Sequence, residues 1–167
     1  LISISKAVQD FTVNQGFESV VADNGVTVSS ILNRKSKPFE DGKLHFIQVS
    51  RLDIAQKGQD ILLKTLGIVK ADFRIDNFMM HFVGNGADEG KLKTMTRELG
   101  LESNVVFEGL KDQMWVYSNL CNFDLFIQPS RFEGFGLTVA EAIAAKVPVL
   151  VSNIEGPLEI IDGGRLG

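Results

Sequence analysis

DLFIQPSRFEGFGLTVAEAIAAK, residues 124–146, is the stretch that indicates the fold most directly. It predicts a buried strand over residues 124–128, a tight loop with two glycines and an alanine-rich helix. A glycine loop that leads into a helix can bring backbone N–H groups close to a ligand. Two carboxylates, Glu133 and Glu141, lie on either side of the start of this helix. The stretch therefore predicts a site for a polar ligand at a helix N-terminus.

The same alternation of strand and helix extends through the chain from Leu44 onward. Further strands are predicted over residues 44–50, 78–84, 104–109 and 147–152, and further helices over 58–69, 88–99, 112–120 and, as a turn or two, 156–162. Alternation of this kind predicts a parallel sheet with right-handed crossovers. The strands are apolar throughout, which is typical of a sheet that is buried on both faces. The predicted fold class is α/β, a Rossmann-like parallel β-sheet with helices on both faces.

The first part of the chain has a different character. Residues 1–28 contain too little apolar material for a core of their own, and we interpret them as a remnant of an N-terminal domain with its hinge. Residues 29–43 are polar, basic and proline-containing, which predicts a linker. Residues 44–167 form the Rossmann-like domain, which we expect to be truncated at its C-terminus. Four apolar side chains of the opening are expected to be exposed, so disorder, repacking or self-association is expected there: Ile2, Ile4, Val8 and Phe11.

Composition excludes several classes of function. A net charge of −4 argues against a broad nucleic-acid surface, since phosphate backbones select basic faces. The single Cys121 rules out an internal disulfide, and only two histidines, His45 and His81, accompany it, so a His/Cys metal site is disfavoured. Both histidines lie in predicted strands, where we expect packed or edge residues. Without an Asp-x-Asp sequence, a metal site for a diphosphate has no obvious ligands.

The sequence also bears on cellular location. It contains no run of eighteen apolar residues and no signal peptide. We therefore expect a cytoplasmic protein, with peripheral attachment to the inner face of a membrane as an alternative for the full-length protein.

Ligands of an open parallel sheet bind beyond the carboxyl ends of the strands, near the point where strand order reverses. Arg51 and Lys57 flank the first such loop, where they suit phosphate oxygens, although surface loops commonly carry such residues. Gly84 and Gly86 follow the second strand. The dinucleotide fingerprint needs a third glycine where this chain has Glu89, so binding of NAD is disfavoured. These glycines instead predict a tight turn whose backbone lies near a ligand.

The two glutamates carry little weight by spacing alone, but their surroundings are informative. Glu133 precedes two glycines at a helix start, and Glu141 lies within an otherwise apolar helix. A charged residue on such a helix needs a partner or access to water. An ionised carboxylate only accepts hydrogen bonds, so sugar or ribose hydroxyls would suit it.

Three stretches together resemble a known family: VSRLDIAQKGQDILLKTL, FVGNGADEGKLKTMTRELGLESNVVFEGL and DLFIQPSRFEGFGLTVAEAIAAKVPVLVSNIEGPLEII. They resemble the C-terminal, nucleotide-sugar-binding domain of family 4 glycosyltransferases (glycosyl transferases group 1), which have the GT-B fold. The resemblance covers residues 44–162. ISISKAVQDF resembles the last strand and helix of the family's N-terminal domain. VVADNGVT resembles its interdomain segment Pro-Asn-Gly-Val-Asp, with Asp23 and Thr27 in place of the proline and the aspartate.

The resemblance implies a role for each matching position. Arg51 and Lys57 match the basic pair that binds the donor diphosphate. Glu133 matches the first glutamate of the E-x7-E motif, which contacts the donor sugar's hydroxyls; it positions the donor and is not assigned as a base. The loop whose backbone amides meet sugar and phosphate is matched by Gly134, Phe135, Gly136 and Leu137.

The other matched positions concern the nucleoside. Glu141 matches the glutamate that holds the ribose, Gly84 and Gly86 match glycines that line the cleft, and Leu110 lies in the loop expected near the base. The family needs no cofactor beyond its nucleotide-sugar substrate. Two cations and a helix N-terminus, worth about half a charge, would offset a diphosphate without metal.

The resemblance implies the donor-binding domain of a retaining, metal-independent glycosyltransferase that acts in polysaccharide biosynthesis. It would pass a hexosyl group from a nucleotide diphosphate sugar to a glycan, lipid or small-molecule acceptor, which the missing N-terminal domain would hold. The alternatives are a sugar-nucleotide epimerase or a phosphorylase of GT-B architecture, or a non-catalytic nucleotide-binding module. We expect the chain as given to bind nucleotide weakly and to transfer nothing by itself.

Overall fold

The computed structural model describes residues 1–22, 24–32 and 36–165. Short 3₁₀ turns at Leu120–Asn122 and Asp162–Gly164 accompany the regular elements. In chain order, these elements are β1 (Ile2–Ser3), α1 (Lys6–Asn14), β2 (Val20–Val21), α2 (Val28–Leu32), β3 (Leu44–Val49), α3 (Ile54–Lys57), α4 (Gln59–Asp72), β4 (Phe78–Val83), α5 (Glu89–Glu98), β5 (Val105–Gly109), α6 (Gln113–Asn119), β6 (Leu125–Gln128), α7 (Leu137–Ala144), β7 (Val149–Val151) and α8 (Glu155–Ile160).

Five strands form one parallel sheet in the order β5-β4-β3-β6-β7. The first strand of this sheet, β3, is therefore central; β4 and β5 follow on one side of it, and β6 and β7 are added on the other side. This is the doubly wound Rossmann arrangement, so the predicted fold class is confirmed. The order reverses between β3 and β6, and the loops that follow these two strands consequently face one another.

Both faces of the sheet are buried, as the apolar strands predicted. Successive side chains of a strand point to opposite faces. One core therefore lies between the sheet and α6 and α7, and it includes Ile47, Val83, Val116, Phe126 and Val139. The other lies between the sheet and α4 and α5, and it includes Leu63, Met80, Phe82, Leu92 and Ile127.

Residues 1–22 of the opening pack against the glycine loop and α8 of the main domain. β1 and β2 pair in parallel, and α1 lies between them in sequence. Ser5, the N-cap of α1, donates from its Oγ to the carbonyl oxygen of Gly134 at 2.6 Å. The backbone N–H groups of Lys6 and Ala7 donate to the Glu159 carboxylate at 3.3 and 3.1 Å. The N-terminus of α1 is thus held against α8 and the glycine loop.

The expected exposure of the opening's apolar side chains is confirmed for three of the four. Ile2, Ile4 and Phe11 are exposed. Val8 is half-buried instead, and its side chain lies beside Gly134. Self-association through these side chains stays a prediction.

The region predicted as a linker, residues 29–43, is less independent than its polar composition indicated. Its first four residues belong to α2, and Ile31 is buried beside α6 and α7. Phe39 stacks on His45, with ring centroids 3.6 Å apart. Val28, Ile31 and Leu32 have the i, i+3, i+4 spacing of a helix face, a signal that the polar composition of residues 29–43 obscured. Phe39 is isolated among polar residues, so its stacking is visible only in the folded chain. Asn33 to Lys35, and Asp23 of the predicted hinge, lie outside the described residues; the division into domains stays a prediction.

The two histidines are buried strand residues, as expected, and they belong to one hydrogen-bonded chain. His45 Nδ1 and His81 Nε2 are 2.9 Å apart. Asp41 lies 2.9 Å from His45 Nε2, and Glu108 lies 2.9 Å from His81 Nδ1. Lys111 Nζ lies 3.7 Å from the other oxygen of Glu108. Burial lowers the pKa of His81 below its usual 6.5, although hydrogen bonding to Glu108 opposes that shift.

A pH dependence of stability follows from this lowered pKa. The unfolded chain binds a proton at His81 near pH 6.5, whereas the native state resists it, so the free energy of unfolding should fall as pH drops from about 7 to 5. One proton gives a slope of at most about 1.4 kcal/mol per pH unit. His81→Gln should flatten this decline in urea titrations.

Glu141 acts in the opposite direction, because burial raises its pKa and the native state gains from its protonation as pH falls. Wild type and His81→Gln both contain Glu141, so its contribution cancels when their stability–pH curves are subtracted. The remaining difference reports the contribution of His81. A shallower acid decline in wild type than in His81→Gln would instead mean that Glu108 dominates and that His81 is charged at neutral pH.

Candidate functional site

A cavity of about 260 Å³ lies where the strand order reverses, at the carboxyl ends of β3 and β6. Residues of both facing loops and of the chain's opening line it: Ile4, Asn24, Val49, Ser50, Arg51, Lys57, Glu133, Gly134, Phe135, Gly136, Leu137 and Thr138. The cavity thus brings together the basic pair, the first glutamate and the glycine loop that the sequence predicted as one site.

Lys57 and Glu133, both lining residues of this cavity, form an ion pair. Lys57 Nζ donates to Glu133 Oε2 at 2.6 Å, and each side chain is 15% exposed. The sequence predicted both residues as ligand-binding groups but gave no sign that they touch. A ligand phosphate that approaches Lys57 would share this cation with Glu133.

Two polar residues that the sequence did not single out fix the orientation of Glu133. Gln128, the last residue of β6, is buried and donates from Nε2 to Glu133 Oε2 at 2.8 Å. Thr138 Oγ1 donates in turn to Gln128 Oε1 at 2.9 Å. A polar residue at the end of an apolar strand was the available signal for Gln128.

Arg51 is the second cation of the cavity, and it lies in the loop directly after β3. Its side chain is exposed, and Nη2 donates to Gln56 Oε1 at 3.0 Å. Among the described residues this bond uses one of its five guanidinium N–H groups and involves an exposed side chain, so Arg51 can turn to an anion without breaking a buried pair.

The N-terminus of α7 opens into the same cavity. Gly136 is the N-cap residue with φ of +100°, a conformation that favours glycine, and among the described residues no side chain caps the helix with a hydrogen bond. Leu137 and Thr138, the first residues of α7, line the cavity. The partial positive charge of the helix N-terminus therefore adds to the two cations.

Glu141, the second predicted glutamate, is 7% exposed and lies outside the described lining of this cavity. Hydrogen bonds from Gln113 and Tyr117 satisfy its carboxylate, and burial raises its pKa. The expectation that a charge on this apolar helix needs a partner is confirmed. Its predicted contact with a ribose stays a prediction.

Gly84, Gly86 and Leu110 also lie outside the lining described for this cavity. The two glycines are packed behind it, because a Cβ on Gly84 would lie 2.0 Å from the Ser50 carbonyl oxygen and one on Gly86 would lie 2.2 Å from that of Leu52. Leu110 is exposed after β5. Their predicted positions beside a cleft and a base are not tested by this arrangement.

The described ranges contain neither a metal-binding cluster nor a membrane-spanning helix. Within residues 1–22, 24–32 and 36–165, no three His, Cys, Asp or Glu side chains are placed to hold a metal ion. In the same ranges no helix has the length and apolar character needed to cross a membrane.

A doubly wound parallel sheet with a cationic cavity at its switch point defines a Rossmann-like ligand-binding domain. Comparison with known proteins narrows this class. Residues 29–167 match the family described as glycosyl transferases group 1, so the chain belongs to this family and the resemblance seen in the sequence is confirmed.

Individual relatives agree with this membership. Lipopolysaccharide 1,6-galactosyltransferase of Salmonella typhimurium is 27% identical over 173 residues, which cover 99% of this chain and 46% of that protein. The structure of the lipopolysaccharide outer core galactosyltransferase WaaB is 28% identical with a TM-score of 0.73, covering 95% of this chain and 44% of WaaB. The structure of Anabaena HepE in complex with UDP and glucose matches at 22% identity and a TM-score of 0.80, covering 95% of this chain and 45% of HepE. The chain thus spans about half the length of these relatives.

Proposed function

We propose that this chain is the donor-binding domain of a retaining, metal-independent glycosyltransferase that takes a hexosyl group from a nucleotide diphosphate sugar. The observation that carries the proposal is the gathering of Arg51, Lys57, Glu133 and the N-terminus of α7 around one cavity. The acceptor would be a glycan, lipid or small molecule held by a further domain.

The charges of the cavity suit a diphosphate. The planar guanidinium of Arg51 can bind two phosphate oxygens at once, whereas the ammonium group of Lys57 is a mobile point charge. The N-terminus of α7 adds about half a positive charge. With the negative charge of Glu133 subtracted, these groups leave about 1.5 positive charges to offset a diphosphate, which supports a mechanism without a required metal ion.

The carboxylate of Glu133 suits the sugar end of such a donor. It accepts hydrogen bonds only, and Gln128 and Lys57 already orient one of its oxygens. Because Gln128 and Lys57 both bind Oε2, the other carboxylate oxygen, Oε1, can accept a hydrogen bond from a sugar hydroxyl. Glu133 would position the donor, and the groups that act on the acceptor would come from outside this chain.

The relatives favour particular probes. The Salmonella protein is named for galactosyl transfer in lipopolysaccharide synthesis, and the HepE structure contains UDP and glucose. UDP is therefore the first nucleotide to test, with GDP and ADP as its competitors.

We expect calorimetry to detect weak binding of one of UDP, GDP and ADP to this chain, unchanged in EDTA. Arg51 and Lys57 would supply the affinity for the diphosphate, so the matching nucleoside should bind far less well. Absence of binding for all three nucleotides would favour an interaction module, and loss of binding in EDTA would overturn metal independence.

Full-length protein is needed to test transfer. With a nucleotide sugar and acceptor, the anomeric configuration of the product, read by NMR, should match that of the donor. Release of an epimerised sugar without acceptor would identify an epimerase, and dependence on inorganic phosphate would identify a phosphorylase.

A further inference from the structure

Arg131 connects the two loops that line the cavity, although its own side chain is not among the lining residues. It lies two residues before Glu133, in the loop after β6. Its Nη1 donates to the Ile54 carbonyl oxygen at 2.7 Å and to Asp60 Oδ1 at 2.8 Å, and its Nη2 donates to Asp60 Oδ2 at 3.0 Å. The guanidinium therefore binds one residue before Lys57, Ile54, and one after it, Asp60.

Backbone bonds reinforce these contacts at one further point. The N–H groups of Arg131 and Phe132 donate to the Gln56 carbonyl oxygen at 2.7 and 3.3 Å. Helix α3, on which Lys57 is the last residue, has only four residues. A helix this short has little stability of its own, so its position depends on contacts from outside.

We propose that Arg131 and Asp60 are positioning residues of the donor site, whose bidentate pair sets the placement of Lys57 relative to Glu133. The inference rests on the proposed function, because it concerns how the same cavity meets a diphosphate. Lys57 lies three residues before Asp60 along the chain, and Glu133 lies two residues after Arg131. Fixing the pair Arg131–Asp60 therefore fixes the pair Lys57–Glu133.

The geometry separates this role from a general contribution to stability. The Arg131 side chain is 37% exposed and that of Asp60 is 14% exposed. Exposed ion pairs contribute about 0–1 kcal/mol to folding, and a bidentate pair such as this one can contribute more, but the loss stays small against the roughly 5–15 kcal/mol that stabilise a domain. Lys64 also lies 3.8 Å from Asp60 Oδ2, so Asp60 keeps a cationic neighbour if Arg131 is removed. Substitutions at this pair should leave the chain folded.

Asp60→Asn gives the sharpest test, because positioning and simple electrostatics predict opposite signs. Removal of an anion near the cavity would by electrostatics alone tighten the binding of a diphosphate. Loss of positioning should instead weaken it by about fivefold to tenfold, as displacement of a binding group does. The measurement is calorimetry at 25 °C with whichever of UDP, GDP and ADP wild type binds.

Arg131→Leu should weaken binding to a similar extent, and the double variant should lose no more than either single one. Arg131→Lys keeps the positive charge but cannot form the bidentate pair with Asp60, so its nucleotide affinity should stay close to that of Arg131→Leu. Binding of the matching nucleoside, followed by NMR, should not change in any of them. Arg97→Leu is the matched control, since it removes an exposed arginine from α5 with the same change in charge.

The outcomes distinguish this inference from the proposed function. If wild type binds none of the three nucleotides, the proposed function fails and this inference fails with it. If wild type binds and Asp60→Asn binds equally or more tightly, only the positioning role is wrong. Full restoration by Arg131→Lys, or an equal loss in Arg97→Leu, would likewise show that charge alone matters.

Discussion

Replacing Lys57 with methionine should weaken the binding of a nucleoside diphosphate to this chain by roughly 10- to 100-fold. A hydrogen bond to a charged group contributes about 1.5–3 kcal/mol, and each 1.4 kcal/mol changes a dissociation constant about tenfold. Lys57 is the less exposed of the two cations of the cavity, so its charge is screened less by water than that of Arg51. Methionine keeps most of the side chain's volume, which limits the change to the charge and its hydrogen bonds.

The measurement is calorimetric titration of both proteins with the same nucleotide. Lys93→Met serves as the control, because Lys93 is an exposed lysine of α5 that pairs with Glu89. An affinity in Lys57→Met that equals the affinity of Lys93→Met would contradict the assignment of Lys57 to the phosphate.

Glu133→Gln tests the other partner of the ion pair. The ion pair at 2.6 Å holds Lys57 against Glu133, so neutralising Glu133 should make the Lys57 cation more available to phosphate. Affinity for the nucleoside diphosphate should then stay constant or rise. The added affinity that the sugar of a nucleotide sugar provides should disappear, since the amide replaces an acceptor with a donor.

Strand–helix alternation predicted the fold because apolar periodicity reports burial directly. The strands around Ile47, Phe82 and Phe126 are buried on both faces and could be read as continuous apolar runs. Gathering of Arg51, Lys57 and Glu133 in one cavity also followed from the sequence, since the carboxyl ends of parallel strands meet at one edge of the sheet.

The remaining features depend on side-chain geometry between distant residues. Lys57 and Glu133 are 76 positions apart, and their contact depends on rotamers that no local pattern encodes. By sequence Arg131 is an ordinary loop arginine. Its bonds to Ile54 and Asp60 are visible only in the folded chain, where α3 lies beside it. Phe39 stands alone in a polar run, and its stacking on His45 depends on the surface that it meets in the folded chain.

Gly84→Ala should lower the free energy of unfolding by about 3 kcal/mol or more, the range in which backbone strain and overpacking combine. Gly84 has φ of +136°, and a Cβ there would lie 2.0 Å from the Ser50 carbonyl oxygen and 3.0 Å from the Ser50 carbonyl carbon. Backbone atoms cannot rotate away as a flexible side chain can. For a chain of this size the melting temperature should fall by roughly 6–12 °C.

Gly90→Ala is the matched control. Gly90 lies in α5, and a Cβ there would have nothing within 4 Å. Alanine is the better helix former by about 1 kcal/mol, so this variant should be as stable as wild type or more so. Similar melting temperatures for the two variants would mean that Gly84 is not needed for the close approach of the two loops.

The strain at Gly84 should reach the ligand site as well as the fold. Gly84 also donates its N–H to the Gly109 carbonyl oxygen at 2.8 Å, and movement of Gly84 away from Ser50 would strain this bond. We therefore expect the loop of Ser50 to take up part of the shift. Ser50 and Arg51 line the cavity, and a shift of their backbone would displace the Arg51 cation. Gly84→Ala should therefore weaken nucleotide binding at temperatures where it is still folded. Gly84 would then contribute to the site indirectly, because its missing side chain lets the loop of Ser50 and Arg51 pack closely against it.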